Sequence, residues 1–87
     1  MSIVNAEVEV AAAAAQLTKQ TGSTRSVGIL ALSTNAGTTY IGSKGVTAAN
    51  GFPIKPGAFF TIDIRDISLL YIIGTAADKI RYIADIV

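Results

Sequence analysis

The chain of 87 residues contains no cysteine, no histidine and no tryptophan. Without cysteine there is no disulfide framework, and without Cys or His there is no Cys/His zinc site. Without histidine the common nucleophile–histidine relay cannot be built. Aromatic residues make up 7% of the chain, three Tyr and three Phe, which leaves neither a sugar-stacking platform nor a row of rings for unpaired bases. Charged residues are also few, at 15%; seven Lys/Arg stand against six Asp/Glu for a net charge of +1. The basic residues are scattered from Lys19 to Arg81, not gathered into the stripe that tracks a phosphate backbone, so nucleic acid is not an expected partner. Apolar runs such as residues 69–73 fall far short of the roughly 18–20 residues of a spanning helix. The first ten residues carry Glu7 and Glu9 and no Lys or Arg, unlike a secretion signal, and no membrane partner is expected.

What is present is apolar surface: 51% hydrophobic residues and a mean hydropathy of +0.51. A domain this small buries only roughly 60% of its unfolded surface, so contact with further copies or with a larger assembly is an expected source of stability. Surplus apolar surface on a small protein more often faces another protein than a small ligand.

The periodicity is that of strands. In residues 3–10, Val4, Ala6, Val8 and Val10 alternate with Asn5, Glu7 and Glu9, a half-buried strand with one wet, acidic face. The alanine tract at 11–15, followed by Gln16 and Leu17, reads two ways: as an extended continuation, or as a short helix built from the best helix former. No capping residue precedes it and it is too short to be stable alone. Residues 18–24 (TKQTGST) form a polar loop centred on Gly22. In residues 25–32, Val27, Ile29 and Ala31 occupy one face and Gly28, Leu30 and Leu32 the other. Such a strand is covered on two sides, or covered on one and in contact with a partner on the other.

Residues 33–37 (STNAG) supply turn chemistry, and 38–41 (TTYI) a short strand. In the loop-rich segment 42–57, Asn50-Gly51 predicts a tight turn and Pro56-Gly57 the two central positions of a type II turn. Pro53 and Pro56 exclude a regular central strand between 52 and 57. Phe60, Ile62 and Ile64 alternate with Thr61, Asp63 and Arg65. Likewise Ile80, Tyr82, Ala84 and Ile86 alternate with Lys79, Arg81, Ile83 and Asp85, predicting two half-buried antiparallel strands. Residues 69–73 (LLYII) are apolar on both faces, and 74–78 (GTAAD) make a turn. The pattern predicts an all-β fold: a small antiparallel β-sandwich or barrel of about six to eight short strands, Ig-like or jelly-roll-like. It forms a single domain over 1–87, with residues 1–24 as strand, alanine tract and loop, and 25–87 as the β core.

Three motifs invite a chemical reading and lose to a bland one. Residues 37–44 (GTTYIGSK) approach a phosphate-binding loop, but Ser43 and Lys44 are inverted and no helix follows. Residues 42–45 (GSKG) match the GXXG clamp of KH domains without its flanking helices, and read as a plain turn. Asp63 and Asp66 flank Arg65 and read as a solvated face, not as acid/base groups or a calcium site. No catalytic, cofactor or metal residue is assigned, no cofactor is expected, and the chain is not expected to be an enzyme.

The order of segments resembles that of small all-β accessory proteins of bacteriophage virions. The resemblance is carried by the arginine-led strand 25–32, Tyr40-Ile41-Gly42, Val46-Thr47, Asn50-Gly51-Phe52-Pro53-Ile54, Pro56-Gly57, the alternating strand 60–64 and Leu70-Tyr71-Ile72-Ile73. It covers most of the chain from Val8 onward, and departs at the five alanines, where the family has mixed Thr, Ser and Ala. It favours the extended form of that tract. It implies a structural virion protein, foremost a capsid decoration or cement protein that binds the major capsid protein in many copies, as a homo-oligomer and foremost a homotrimer. A head-fibre base, neck or tail adhesion module is the alternative; a cellular carbohydrate- or peptide-binding β-module is a third. The candidate partner contacts are Ile3, Val4, Val8 and Val10 in the N-terminal strand, with Lys44, Val46, Asn50 and Phe52 in the loop, because terminal segments and loops are free to reach a neighbour.

Overall fold

The computed structural model describes residues 2–18 and 23–86; residues 19–22, at the centre of the polar loop expected around Gly22, lie outside them. Among the described residues eight strands follow one another: β1 (Ser2–Glu9), β2 (Ala15–Gln16), β3 (Thr24–Ala31), β4 (Thr39–Gly42), β5 (Phe52–Ile54), β6 (Phe59–Ile62), β7 (Tyr71–Ile73) and β8 (Lys79–Ile86), with a 3₁₀ turn at Ile67–Leu69. They form two four-stranded antiparallel sheets. Sheet A has the order β1-β8-β3-β6 and sheet B the order β2-β7-β4-β5.

The pairs β1/β8, β2/β7, β3/β6 and β4/β5 nest inside one another. The chain is therefore one long hairpin with its bend between β4 and β5, rolled up so that β3 also meets β8 and β4 also meets β7. This is the jelly-roll order, and of the two topologies expected it is the one the chain adopts. The outermost ladder runs from Ser2 opposite Ile86 to Glu9 opposite Lys79.

Alternation places the core. Val27, Ile29 and Ala31 of β3 and Ile80, Tyr82 and Ala84 of β8 face inward from sheet A, and meet Ile41, Ile54 and Ile72 of sheet B with Leu17, Ile67 and Leu70 in one cluster. Ala6, in the inward phase of β1, is nevertheless exposed, because β1 is an edge strand.

The alanine tract is not helical; it bends at Ala12 and Ala13 and enters β2 at Ala15. Val10 is buried, its N–H donates to the Asp78 carbonyl, and the Ala11 carbonyl accepts from Gly74. These long-range bonds hold the backbone where local propensity alone would leave it undecided. The two loop motifs divide. Ala58 N–H donates to Lys55 C=O and Gly57 has φ +82°, as a type II turn with Pro56 and Gly57 at its centre requires. Asn50-Gly51 is not the tight turn expected, because Gly51 lacks the positive φ of a type I′ turn. The bend lies two residues earlier, where the Thr47 carbonyl accepts from Asn50 and Gly51. Gly51 is needed instead for close approach: a Cβ there would sit 2.6 Å from Tyr40 Cβ and 2.9 Å from the Thr47 carbonyl oxygen.

Pro53 lies in β5, a strand that the prolines obscured. β5 is an edge of sheet B, where a missing N–H costs no ladder bond. Asp66 is not merely solvated: its carboxylate caps the 3₁₀ turn, accepting from Ser68 N–H at 3.0 Å and Ser68 Oγ–H at 2.6 Å. The Ser68 hydroxyl bond, and then the backbone bond, hold its pKa below the ordinary 3.8.

Candidate interaction surface

The outward phase of sheet A carries Ile3, Asn5, Glu7 and Glu9 from β1, Arg81, Ile83 and Asp85 from β8, Ser26, Gly28 and Leu30 from β3, and Phe59 and Thr61 from β6. Sheet B covers the other side, and among the described residues no further element packs on this face. At its centre Gly28 lies between Thr61 and Ile83. A Cβ on Gly28 would meet the Phe59 ring at 3.2 Å and Ile83 Cγ2 at 3.3 Å, so these two side chains converge over the glycine. They remain 64% and 51% exposed, and Ile3 is 60% exposed. Three of the five large hydrophobic residues most exposed among the described residues thus share one face. Two shallow depressions of about 600 and 430 Å³ flank this ridge and share Gly28, Phe59 and Ile83.

Charge frames the apolar centre. At one end Arg81 Nε donates to Glu7 at 3.0 Å, and Lys79 Nζ lies 3.7 Å from the same carboxylate. The Arg81 hydrogen bond, with the nearby Lys79 and Arg81 charges, lowers the Glu7 pKa below its ordinary 4.5, overcoming the opposing effect of desolvation. Because the folded-state pKa is lowered, the contribution is present above pH 4.5 and fades as pH falls through the lower value. The groups are exposed, and the contribution is small. At the other end lie Asp63 and Asp85. Asp85 Oδ1 is buried and finds no hydrogen-bond partner among the described residues.

The other two exposed hydrophobics, Phe52 and Leu69, lie where the open edges β5 and β6 approach. The Phe52 and Phe60 rings stack with centroids 4.8 Å apart, and a groove of about 390 Å³ runs past Ile62, Ile64 and Leu69.

The candidate contacts read from the sequence divide between surface and interior. Ile3 stands on the outer face of sheet A, Phe52 at the groove, and Lys44 on the exposed Ser43–Val46 turn, where Gly45 has φ +88°. Asn50 is exposed, and its Oδ1 accepts from Thr47 N–H. Val4 and Val8 point inward against the core. Val10 is buried in the core, and Val46 is buried against Gly42 and Gly51; neither presents its side chain to a neighbour. Segment-level reasoning did not separate these roles, and it passed over Phe59, Ile83 and Arg81. The signal that finds them is the apolar residue in the polar phase of an alternating strand, as Ile3 stands among Asn5 and Glu7, and Ile83 between Arg81 and Asp85.

Residues 37–45 form β4 and a turn with no helix following, and among the described residues no three acidic side chains converge as a metal site. No helix among them is long and apolar enough to cross a membrane.

No family model matches the chain, and no curated protein matches it in sequence. Among solved structures it is similar to a chain of the Bacillus endospore appendages, which form a family of disulfide-linked pili. That likeness has a TM-score of 0.58 and 24% identity, and covers 99% of this chain and 87% of the other. It bears on the fold alone: two small antiparallel sheets.

Proposed function

We propose that this chain is a non-catalytic structural protein that works in many copies by adhesion through the outer face of sheet A, and that its setting is a bacteriophage particle, as a decoration protein on the shell. The observation that carries the adhesive role is the concentration of Ile3, Phe59 and Ile83 on an otherwise uncovered sheet face, a placement that a solitary soluble domain avoids. The virion setting is supported by the order of sequence segments. Shell binding by many identical copies makes a modest contact effective through avidity. A second reading, a pilus-type subunit, is favoured by the likeness to the endospore appendage chain over nearly all of this sequence. Such a polymer could not be disulfide-linked through these residues, which include no cysteine.

Quantitative mass spectrometry of purified particles from the source decides between these. A copy number comparable to that of the major shell protein is expected for decoration. A number far lower assigns the chain to fibre, neck or tail. Absence from particles, with filaments of purified protein seen by electron microscopy, replaces the virion reading with the pilus-type one.

A further inference from the structure

The chain contains Asn-Gly once, at Asn50-Gly51, and this dipeptide has a chemistry of its own. Once its proton is lost, the Gly51 amide nitrogen, unshielded by any Cβ, attacks the carboxamide carbon of Asn50. An N–Cγ bond forms, the Cγ–Nδ2 bond breaks and ammonia leaves, giving a cyclic succinimide. Water then opens the ring at Cγ to give aspartate, or at the main-chain carbonyl to give isoaspartate, in which the chain runs through Cβ and Cγ. Asn50 is exposed, so water and base have access to it.

In the folded chain Thr47 engages both reacting groups. Asn50 Oδ1 accepts from Thr47 N–H at 2.8 Å, and Thr47 Oγ1 accepts from Asn50 N–H at 3.3 Å, reciprocal bonds in the manner of a capping box closed over one turn. The Gly51 N–H, whose proton must be lost, donates to the Thr47 carbonyl at 2.8 Å. The carboxamide is therefore held toward Thr47, away from the next residue in the chain, and the nucleophile is held protonated. We infer that Asn50-Gly51 is a deamidation site latched by Thr47, reacting only as this turn opens, whatever the partner of the sheet A face. The two products differ in consequence. Aspartate keeps Oδ1 as an acceptor for Thr47 N–H. Isoaspartate lengthens the main chain just ahead of Gly51, where there is no slack: a Cβ on Gly51 would lie 2.6 Å from Tyr40 Cβ and 2.9 Å from Val46 Cγ2. Phe52 follows, paired with Ile41 at the start of β5 and stacked on Phe60. Isoaspartate thus disturbs the β4/β5 register and unseats Phe52 from the apolar groove, a slow change of surface set by the age of the chain.

Peptide-mapping mass spectrometry of the full chain, aged at physiological temperature and mildly alkaline pH, tests this against the same chain unfolded in urea. In urea Asn50 is expected to react ahead of Asn5 and Asn35, both of which precede alanine. With two hydrogen bonds of ordinary net strength to open, the folded chain is expected to react roughly tenfold or more slowly. Thr47→Ala removes the Oγ1 acceptor and is expected to raise the folded rate several-fold while leaving the rate in urea unchanged, with circular dichroism as the folding control. The same opening is expected in wild-type amide exchange, where the Gly51 amide is protected by a factor matching its protection from deamidation. Aged chains carrying isoaspartate are expected to melt below the unaged protein, and Asn50→Asp to melt with it. Equal rates in the folded chain and in urea, an unprotected Gly51 amide, a Thr47→Ala variant that folds and reacts no faster, or an isoaspartate chain as stable as Asn50→Asp overturns the inference.

Discussion

At the scale of single residues, backbone conformation is set by a few positions whose side chains were chosen for other reasons. Ala77 has φ +73°, the left-handed region that costs an L-residue roughly 1–2 kcal/mol. The turn it occupies is closed by Asp78 N–H to Thr75 C=O, and Ala77 N–H donates to the Val10 carbonyl. Glycine in place of Ala77 removes the steric cost and adds part of it back as unfolded-state entropy. The expected outcome for Ala77→Gly is a net gain of about 0.5 kcal/mol, measured by urea denaturation; a loss would mean that the alanine methyl makes a packing contribution larger than its strain. In the sequence this position was legible only as "turn". Dipeptide chemistry identified Pro56-Gly57 correctly, but read Gly51 as a φ requirement when the requirement is space beside Tyr40. A glycine's two uses, conformational and steric, look alike in one sequence.

At the scale of elements, the eight-residue strands were the most legible, because alternation over that length specifies both the strand and its buried face. The shorter pieces were not. β5 carries a proline, and the bent alanine tract is held at its start by partners more than 60 residues away in the chain. Loops are anchored in the same non-local way. Asp78, buried at the start of β8, accepts from Ala36 N–H at 2.8 Å and Gly37 N–H at 3.0 Å. Beside it Asn35 exchanges two hydrogen bonds with the Lys79 backbone. Asp78→Ala deprives two backbone donors of their acceptor at once. It is expected to cost about 2 kcal/mol and to raise amide exchange at Ala36 and Gly37 while β8 stays protected. Loss of protection throughout β8 would show instead that the loop and the strand form one cooperative unit.

At the scale of the whole molecule, fold class was readable and connectivity was not. Composition and strand spacing gave a small β-sandwich, but nothing local states that β1 pairs with β8 across almost the full chain, since cross-strand partners carry no label. The candidate surface was half readable for the same reason. The apolar outward face of β3 was visible in Gly28 and Leu30, whereas its extension over β1, β6 and β8 exists only once the sheet order is known. The inward placement of Val10 and Val46 likewise follows from the roll, not from their segments.

The pairing of Ser2 with Ile86 also determines how the domain answers to force. Tension applied at residues 2 and 86 pulls two adjacent strand ends apart, perpendicular to the strands, so the β1/β8 ladder opens one bond after another and resists weakly. Tension applied at residues 9 and 86 pulls along the strands and loads the whole ladder together. Single-molecule pulling is therefore expected to give a much lower rupture force for the first pair of attachment points than for the second; equal forces would locate the mechanical barrier elsewhere in the roll. A domain built this way yields easily when strung through residues 2 and 86, and resists when the load runs along β1 and β8.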